Sequence, residues 1–471
     1  MKLGRRSFIG ELMFAAGAAN AAPLVKMAPP KGEPKLRMGV VTDTHLGTSW
    51  MMGVNTPATE KAFRYFRDRG ADVVMGCGDL IDSGTIPQLK ALAAVWNGVF
   101  PENKGKDGKK VEKMFVCGNH EVSLWKPVEQ QDPKFYIQPR LAENWKEILG
   151  EDYSPVYHKC INSIHFIGVH WGYHKKPEVV EPAIEKVMKE VKPGEPVFLC
   201  QHYPVRNTCF GSGGGKCESF NLYKKYPNLI VITGHTHSPV TTPCAIWQKE
   251  FTAINAGVVT WTDFAPYTWP NSLAPAAVYA KNALFISVYD DRIVVERCDL
   301  MNEDKMAPDW TIPLPLDPAT FPYTAERRAG LPVPAFPKDA KVTVNRSMTA
   351  RSLGSILPRR EKEWRTIKGG ILVSFDAAVS SDPDNRVMRY EISAIREDDG
   401  KEAFKDTVYT EFYLAKSRMR NAYDHIVDGE SLPAGVPCKY VVTAYDCYGR
   451  QCGKPLVSAP IALSSYQYDV N

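Results

Sequence analysis

An α/β domain followed by a smaller all-β sandwich is the architecture that the sequence predicts. Short apolar runs alternate with helical stretches from Leu36 to Cys298, prolines crowd the stretch that follows, and short β-type runs fill the remainder. At 471 residues the chain is too long for one ordinary domain. Its 44% hydrophobic and 24% charged residues provide for a sizeable core. The net charge of +5 is small, and no basic cluster is interleaved with aromatics, so nothing points to nucleic acid as a partner.

Residues 1–22 read as an export signal. Arg5-Arg6-Ser7-Phe8-Ile9 leads into a weakly apolar run, Leu12 to Ala19, and small residues Asn20-Ala21-Ala22 precede Pro23. The adjacent arginines resemble a twin-arginine signal, which implies a bacterial periplasmic or cell-surface location. The run is too short to span a bilayer, and no later segment reaches spanning length, so the mature chain is expected to have no transmembrane segment.

Residues 35–300 read as the α/β domain. Leu36 to Thr42 is a buried strand and a helix follows around Glu60 to Arg69. Asp72 to Met75 is a strand, Ile86 to Phe100 a helix, and Lys113 to Cys117 a third strand. Further strands are expected at Ser163 to Val169, Pro196 to Cys200 and Leu229 to Thr233, with a hairpin at Ala283 to Val288 and Arg292 to Glu296. Residues 301–340 carry recurrent prolines with little periodicity and read as an extended linker. Residues 341–471 hold β-type runs at Lys341 to Val344, Ile371 to Phe375, Val387 to Ile395, Val408 to Tyr413, Tyr440 to Tyr445 and Pro455 to Ile461. The odd count of eleven cysteines leaves at least one unpaired within the chain. Cys77 and Cys117 end apolar runs and read as small buried hydrophobes. Cys447–Cys452, flanking a turn-like tetrapeptide, is the preferred disulfide, and Cys209–Cys217 the second candidate.

Five short polar segments each follow an apolar run: Asp43-Thr44-His45, Gly78-Asp79-Leu80-Ile81-Asp82, Gly118-Asn119-His120-Glu121, Gln201-His202-Tyr203-Pro204 and Gly234-His235-Thr236-His237. Each would project from the carboxyl end of a strand, where an α/β sheet gathers ligands from distant positions. Imidazole, carboxylate and amide oxygen together suit Zn, Mn and Fe. A single histidine after a strand is usually a satisfied surface or core residue; five of the ten histidines in these segments are another matter.

In this order, over Leu36 to Cys298, the segments resemble the calcineurin-like metallophosphoesterase family. The resemblance implies a four-layer α/β/β/α sandwich and two divalent or trivalent ions. One ion would be held by Asp43, His45, Asp79 and His237, the other by Asp79, Asn119, His202 and His235, with Asp79 bridging. Metal-bound hydroxide would attack phosphorus directly, since a metal lowers the pKa of water from ~15.7 to about 7. His120 would hydrogen-bond a phosphoryl oxygen and protonate the leaving group, and Asp82 would orient and charge His120. Ser83 stands where Ser/Thr protein phosphatases carry a phosphate-clamping arginine, and Asp82 where purple acid phosphatases place an iron-binding tyrosine. Both departures point to a phosphodiesterase or a non-protein phosphatase acting on a small phosphate ester.

Beyond residue 340, Ile371 to Asp376, Tyr390 to Ile392 and Tyr440 to Asp446 resemble a fibronectin type III-like module. The competing expectation is a cell-surface protein in which this sandwich binds glycan or protein and the metal domain is a scaffold. Gly211 to Lys216 lacks the spacing of a nucleotide P-loop and reads as a flexible or substrate-side loop. His170 to His174 follows a strand, and Trp171 or Tyr173 could line the pocket or pack at its rim. Oligomeric state is not legible.

Overall fold

The computed structural model describes residues 28–30, 32–47, 52–122, 127–214, 217–262, 280–347, 351–353, 365–367, 369–382 and 384–463. The expected export signal lies outside them. Among the described residues no helix is long and apolar enough to cross a membrane.

Twelve strands build two mixed six-stranded sheets. The first contains β1 (Leu36–Val41), β2 (Val73–Gly76), β3 (Glu112–Phe115), β10 (Asn282–Val288), β11 (Arg292–Asp299) and β12 (Asp304–Pro313), in the order β12-β11-β10-β1-β2-β3. The second contains β4 (Val156–Ile161), β5 (Ile164–Val169), β6 (Val197–Gln201), β7 (Leu229–Thr233), β8 (Ile246–Gln248) and β9 (Thr252–Asn255), in the order β4-β5-β6-β7-β9-β8. β1, β2 and β3 are mutually parallel, as are β5, β6, β7 and β9.

The two-residue strand period separates the layers. Leu36, Met38, Val40, Val73 and Met75 meet Phe198, Cys200, Ile230 and Ile232 between the sheets. The intervening residues face outward. Val41 and Val74 pack with Phe63, Phe66 and Trp96 of α1 (Met52–Asp68) and α2 (Ile86–Val99), near α3 (Leu141–Asn144). Leu199 and Val231 pack with Val180, Ile184 and Leu222 of α4 (Pro177–Met188) and α5 (Cys217–Tyr223). The domain is therefore a four-layer α/β/β/α sandwich.

The proline-rich stretch departs from the expected linker. Its start is β12, the edge strand of the first sheet, with Trp310 and Ile312 buried in the central core. Val295 pairs Trp310 and Arg297 pairs Ala307, so Pro308 falls in the intervening bulge, where no ladder N–H is demanded. An edge with a bulge accepts the prolines that a central strand would reject. A short helix, α6 (Ala325–Ala329), follows.

The described residues of the remaining chain form two antiparallel sheets and a separate pair. β13 (Val342–Ser347), β16 (Gly370–Asp376) and β19 (Ala422–Asp428) make one sheet. β17 (Val387–Arg396), β18 (Glu402–Tyr409), β20 (Cys438–Asp446) and β21 (Gln451–Val457) make the other, and β14 (Arg351–Leu353) pairs β15 (Arg365–Ile367). Alternate residues such as Ile371, Val373, Tyr390, Ile392, Tyr440 and Val442 share one core. The strand expected at Val408 to Tyr413 ends at Tyr409, because Phe412 and Tyr413 pack with Cys244 and Met388 in a separate cluster. Similarly, β21 starts earlier than the expected Pro455.

This cluster lies against the α/β domain. The buried Arg386 donates to Phe412 O (3.0 Å) and to Met306 O (2.6 Å), and Arg297 of β11 pairs with Asp384 at 2.6 Å. Neither expected disulfide is supported. Cys447 and Cys452 are both free and face different clusters, Cys447 with Cys244 and Cys452 in the sandwich core. Cys209 is also free, its thiol donating to Ala245 O and Ala253 O; the side chain of Cys217 lies outside the described residues. Cys77 and Cys117 are buried, as expected of small core hydrophobes.

Candidate metal centre

All five polar segments follow strands whose carboxyl ends are neighbours. Asp43 and His45 follow β1, Asp79 and Asp82 follow β2, and Asn119 and His120 follow β3. His202 follows β6, and His235 and His237 follow β7 on the facing sheet. Asp43, His45, Asp79, His235 and His237 all have positive φ, between 41° and 70°. Non-glycine residues seldom occupy that region, and a cluster of them marks a backbone held for a purpose. Glycines make the convergence possible: a Cβ on Gly118 would overlap the Asp79 side chain, and one on Gly234 would overlap Thr42 and Asp43.

Three groups of ligand-type atoms result, each with its members within 4.8 Å of one another: Asp43, His45 and His237; Asp79, His202 and His235; and His45, Asp82 and His120. In the first, His237 Nε2 is 3.2 Å from Asp43 Oδ1 and 3.3 Å from His45 Nε2. In the second, His202 Nε2 is 3.0 Å from Asp79 Oδ2 and 3.2 Å from His235 Nδ1. Asp79 Oδ2 is also 3.9 Å from His45 Nε2, which sets this carboxylate between these first two groups.

Hydrogen bonding behind the rings fixes which nitrogens point inward. A carbonyl can only accept, so His202 Nδ1 donates to Cys77 O (2.8 Å) and His237 Nδ1 donates to Trp261 O (3.0 Å). His45 Nδ1 donates to the Asp82 carboxylate at 3.1 Å. In each neutral ring the Nε2 lone pair then faces carboxylate oxygens and other lone pairs. Such an arrangement is repulsive until a cation enters. Asp43 Oδ1 and Asn119 Oδ1 are buried and accept no hydrogen bond. The donor set and its two orphaned oxygens fit metal ions.

Protons respond to the same field. Burial opposes charge on His45, yet Asp43, Asp82 and Asp79 outweigh it and raise its pKa to about 10. His202 is raised to about 9, against burial, chiefly by Asp79. Burial would raise Asp43 and Asp79, but the surrounding imidazoles hold both below the ordinary carboxylate range. His235 goes the other way, to about 3, through burial and then the neighbouring His202. Without cations, the site draws protons into the ligand positions.

His120 is more exposed than most of the ligand side chains. Its side chain is 20% exposed, against 12% for His237 and 0–2% for Asp43, His45, Asp79 and His202. Its Nδ1 donates to the backbone carbonyl of Asp82, and its Nε2 lies 3.9 Å from Asp79 Oδ2. The Asp82 carboxylate is nearer His45 Nδ1 (3.1 Å) than His120 Nδ1 (3.7 Å), so it is the main chain of Asp82 that holds His120.

Several residues took positions that the sequence left open. Gly211 packs against Thr236, between the two histidines of that segment, so the described part of the glycine-rich loop buttresses the centre. His170 accepts the Cys117 N–H (2.9 Å) and is a structural residue, held by burial near pKa 3. The Trp171 ring lies 6.2 Å from those of His202 and His235, whereas Tyr173 packs in the outer core of the second sheet. Trp261 was missed entirely; its ring lies 4.7 Å from that of His237. A tryptophan in an unpatterned stretch gives no signal for a backbone acceptor.

Residues 36–239 match the family model of the calcineurin-like phosphoesterases. No curated protein sequence matches significantly. Among the solved structures that this chain matches is a dimetal phosphatase from Danio rerio, at 15% identity and a TM-score of 0.35, covering 60% of this chain and 99% of that one. A purple acid phosphatase from yellow lupin (Lupinus luteus) seeds is also similar, at 15% identity and a TM-score of 0.40, covering 59% and 53%. The protein is a metal-dependent phosphoric ester hydrolase. The chain carries a calcineurin-like metallophosphoesterase domain.

Proposed function

We propose that the chain is an exported phosphodiesterase or non-protein phosphatase acting on a small phosphate ester. Within residues 35–300, Asp43, His45, Asp79 and His237 would hold one ion, and Asp79, Asn119, His202 and His235 the other. The observation that carries this reading is the two ligand groups meeting at Asp79, with the partly exposed His120 beside them. Two divalent or trivalent ions (Mn, Zn or Fe) bound there would neutralise phosphate oxygens and lower the pKa of the attacking water. His120 would act through Nε2, since Nδ1 is committed to the Asp82 carbonyl. As the imidazolium it hydrogen-bonds a phosphoryl oxygen and passes its proton to the leaving oxygen. Asp82 keeps His45 in the tautomer that presents Nε2 inward.

The two sheets beyond residue 340 are read as a fibronectin type III-like sandwich whose role is to brace the α/β domain. Supporting this, Arg297–Asp384 and the Arg386 contacts join the two parts through buried groups rather than a loose linker. Residues 1–22 are read as the export signal, a reading that cell fractionation with and without Arg5 and Arg6 tests. For the activity, hydrolysis of a chromogenic phosphodiester and of the matching monoester should be compared on Mn- and Zn-loaded protein. Asp79→Asn serves as the blank. A rate above the blank on either ester supports the reading and assigns its subclass; none on either, with both ions bound, would overturn it.

A further inference from the structure

Glu121 has no part in the reaction described above, yet it is one of the most committed side chains in the molecule. It is 1% exposed. Its carboxylate accepts four backbone N–H groups: Gly118 (2.6 Å), Asp79 (3.0 Å), Leu80 (2.6 Å) and Ile81 (3.0 Å). Three of these donors are consecutive, and successive N–H groups turned to one side form a nest that binds anions. Here the nest is filled from within the chain.

We propose that Glu121 is a positioning residue that fixes Asp79 by occupying this nest, and so sets the affinity for both metal ions together. The inference rests on the proposed role of Asp79 as the shared ligand. Asp79 to Ile81 follow β2, whereas Gly118 follows β3, so one carboxylate clamps two loops that have no strand ladder between them. It holds Asp79 at φ 49°. Asp79 Oδ1 is engaged by the His120 N–H at 2.9 Å, which leaves Oδ2 facing both ligand groups. A burden of negative charge next to Asp79 would be a poor choice for packing alone. An apolar residue would fill the space, but it would strand four buried N–H donors. A slip of this loop moves the one ligand that both ions share, whereas loss of an end ligand touches a single ion.

The test is a Mn titration of Glu121→Ala, read as two separate ion affinities, with and without sodium acetate against a sodium chloride control. Both affinities should fall together by roughly 10–100-fold, the usual effect of losing a residue that orients a ligand. Acetate should restore both, because it can occupy the vacated nest. A general loss of structure would not be reversed by a small carboxylate. Glu121→Gln keeps the volume and covers the case in which the alanine variant does not fold. Its amide N–H groups oppose the nest donors, so it should weaken both ions and resist acetate rescue. Wild-type affinities in either folded variant, a loss confined to one ion, or no acetate effect on folded Glu121→Ala would overturn the inference. Asp79→Asn runs beside them: if it keeps both ions, the role of Asp79 fails, and if it alone loses them, only the role of Glu121 fails.

Discussion

Replacing Asp82 with Ala separates two roles that the same carboxylate could play. Its oxygen lies 3.1 Å from His45 Nδ1 and 3.7 Å from His120 Nδ1, and only the first is a hydrogen-bonding distance. A hydrogen bond to a charged acceptor contributes about 1.5–3 kcal/mol. At about 1.4 kcal/mol per tenfold, that corresponds to roughly 10–150-fold in affinity for the ion that His45 would hold. The Asp82 side chain is 21% exposed, which places the effect near the lower figure, about tenfold. His120 keeps its main-chain acceptor in the variant, so kcat at saturating metal should change by no more than a few-fold. Equilibrium dialysis with Mn gives the affinity, and turnover of a chromogenic ester at saturating Mn gives the second number. Unchanged affinity with turnover down by 100-fold or more would show that the carboxylate serves His120 instead.

Three further expectations come from other parts of the molecule. His120→Ala should retain both ions and lose about 10²–10⁴ in kcat, most for esters with poor leaving groups; metal analysis together with leaving-group dependence checks this. Asp384→Ala leaves the fully buried Arg297 without its carboxylate and should cost about 3 kcal/mol in urea unfolding, the low end for a broken buried pair. The low end applies because Arg297 still donates to Pro308 O and Val240 O. Lys281 is buried and its pKa is lowered from 10.5 to about 7 by desolvation. The unfolded chain therefore binds more protons between about pH 7 and 10.5, and folded stability should rise with pH across that window. Lys281→Met should remove this rise, measured as the difference between the two stability–pH curves.

Much of the fold was legible because the continuous apolar run of a strand buried on both faces is local. The runs at Leu36, Asp72, Ser163, Pro196, Leu229, Ala283 and Arg292 appear as strands close to their expected ends. What escaped was whatever depends on a neighbour. β12 hides behind its prolines until an edge with a bulge is available to hold them, and Phe412 and Tyr413 look like strand residues until Cys244 and Met388 are seen beneath them. Cysteine pairing failed for the same reason: a spacing of five positions does not tell which cluster each side chain faces, and Cys447 and Cys452 turn to different ones.

By itself, then, the sequence determined the ligand chemistry: five polar segments in order, with His, Asp and Asn at the ends of apolar runs. A residue type carries its donor atoms wherever it lies, and a strand end is predictable from the run that precedes it. Only the tertiary structure decided which atoms share a centre, because that depends on two sheets facing each other and on loops from both meeting at one edge. It also decided which partner each group serves. The Asp82 carboxylate turns to His45 while its carbonyl takes His120, and Glu121 spends its charge on four backbone N–H groups. Backbone donors carry no residue name, so no pattern of side chains could have announced them.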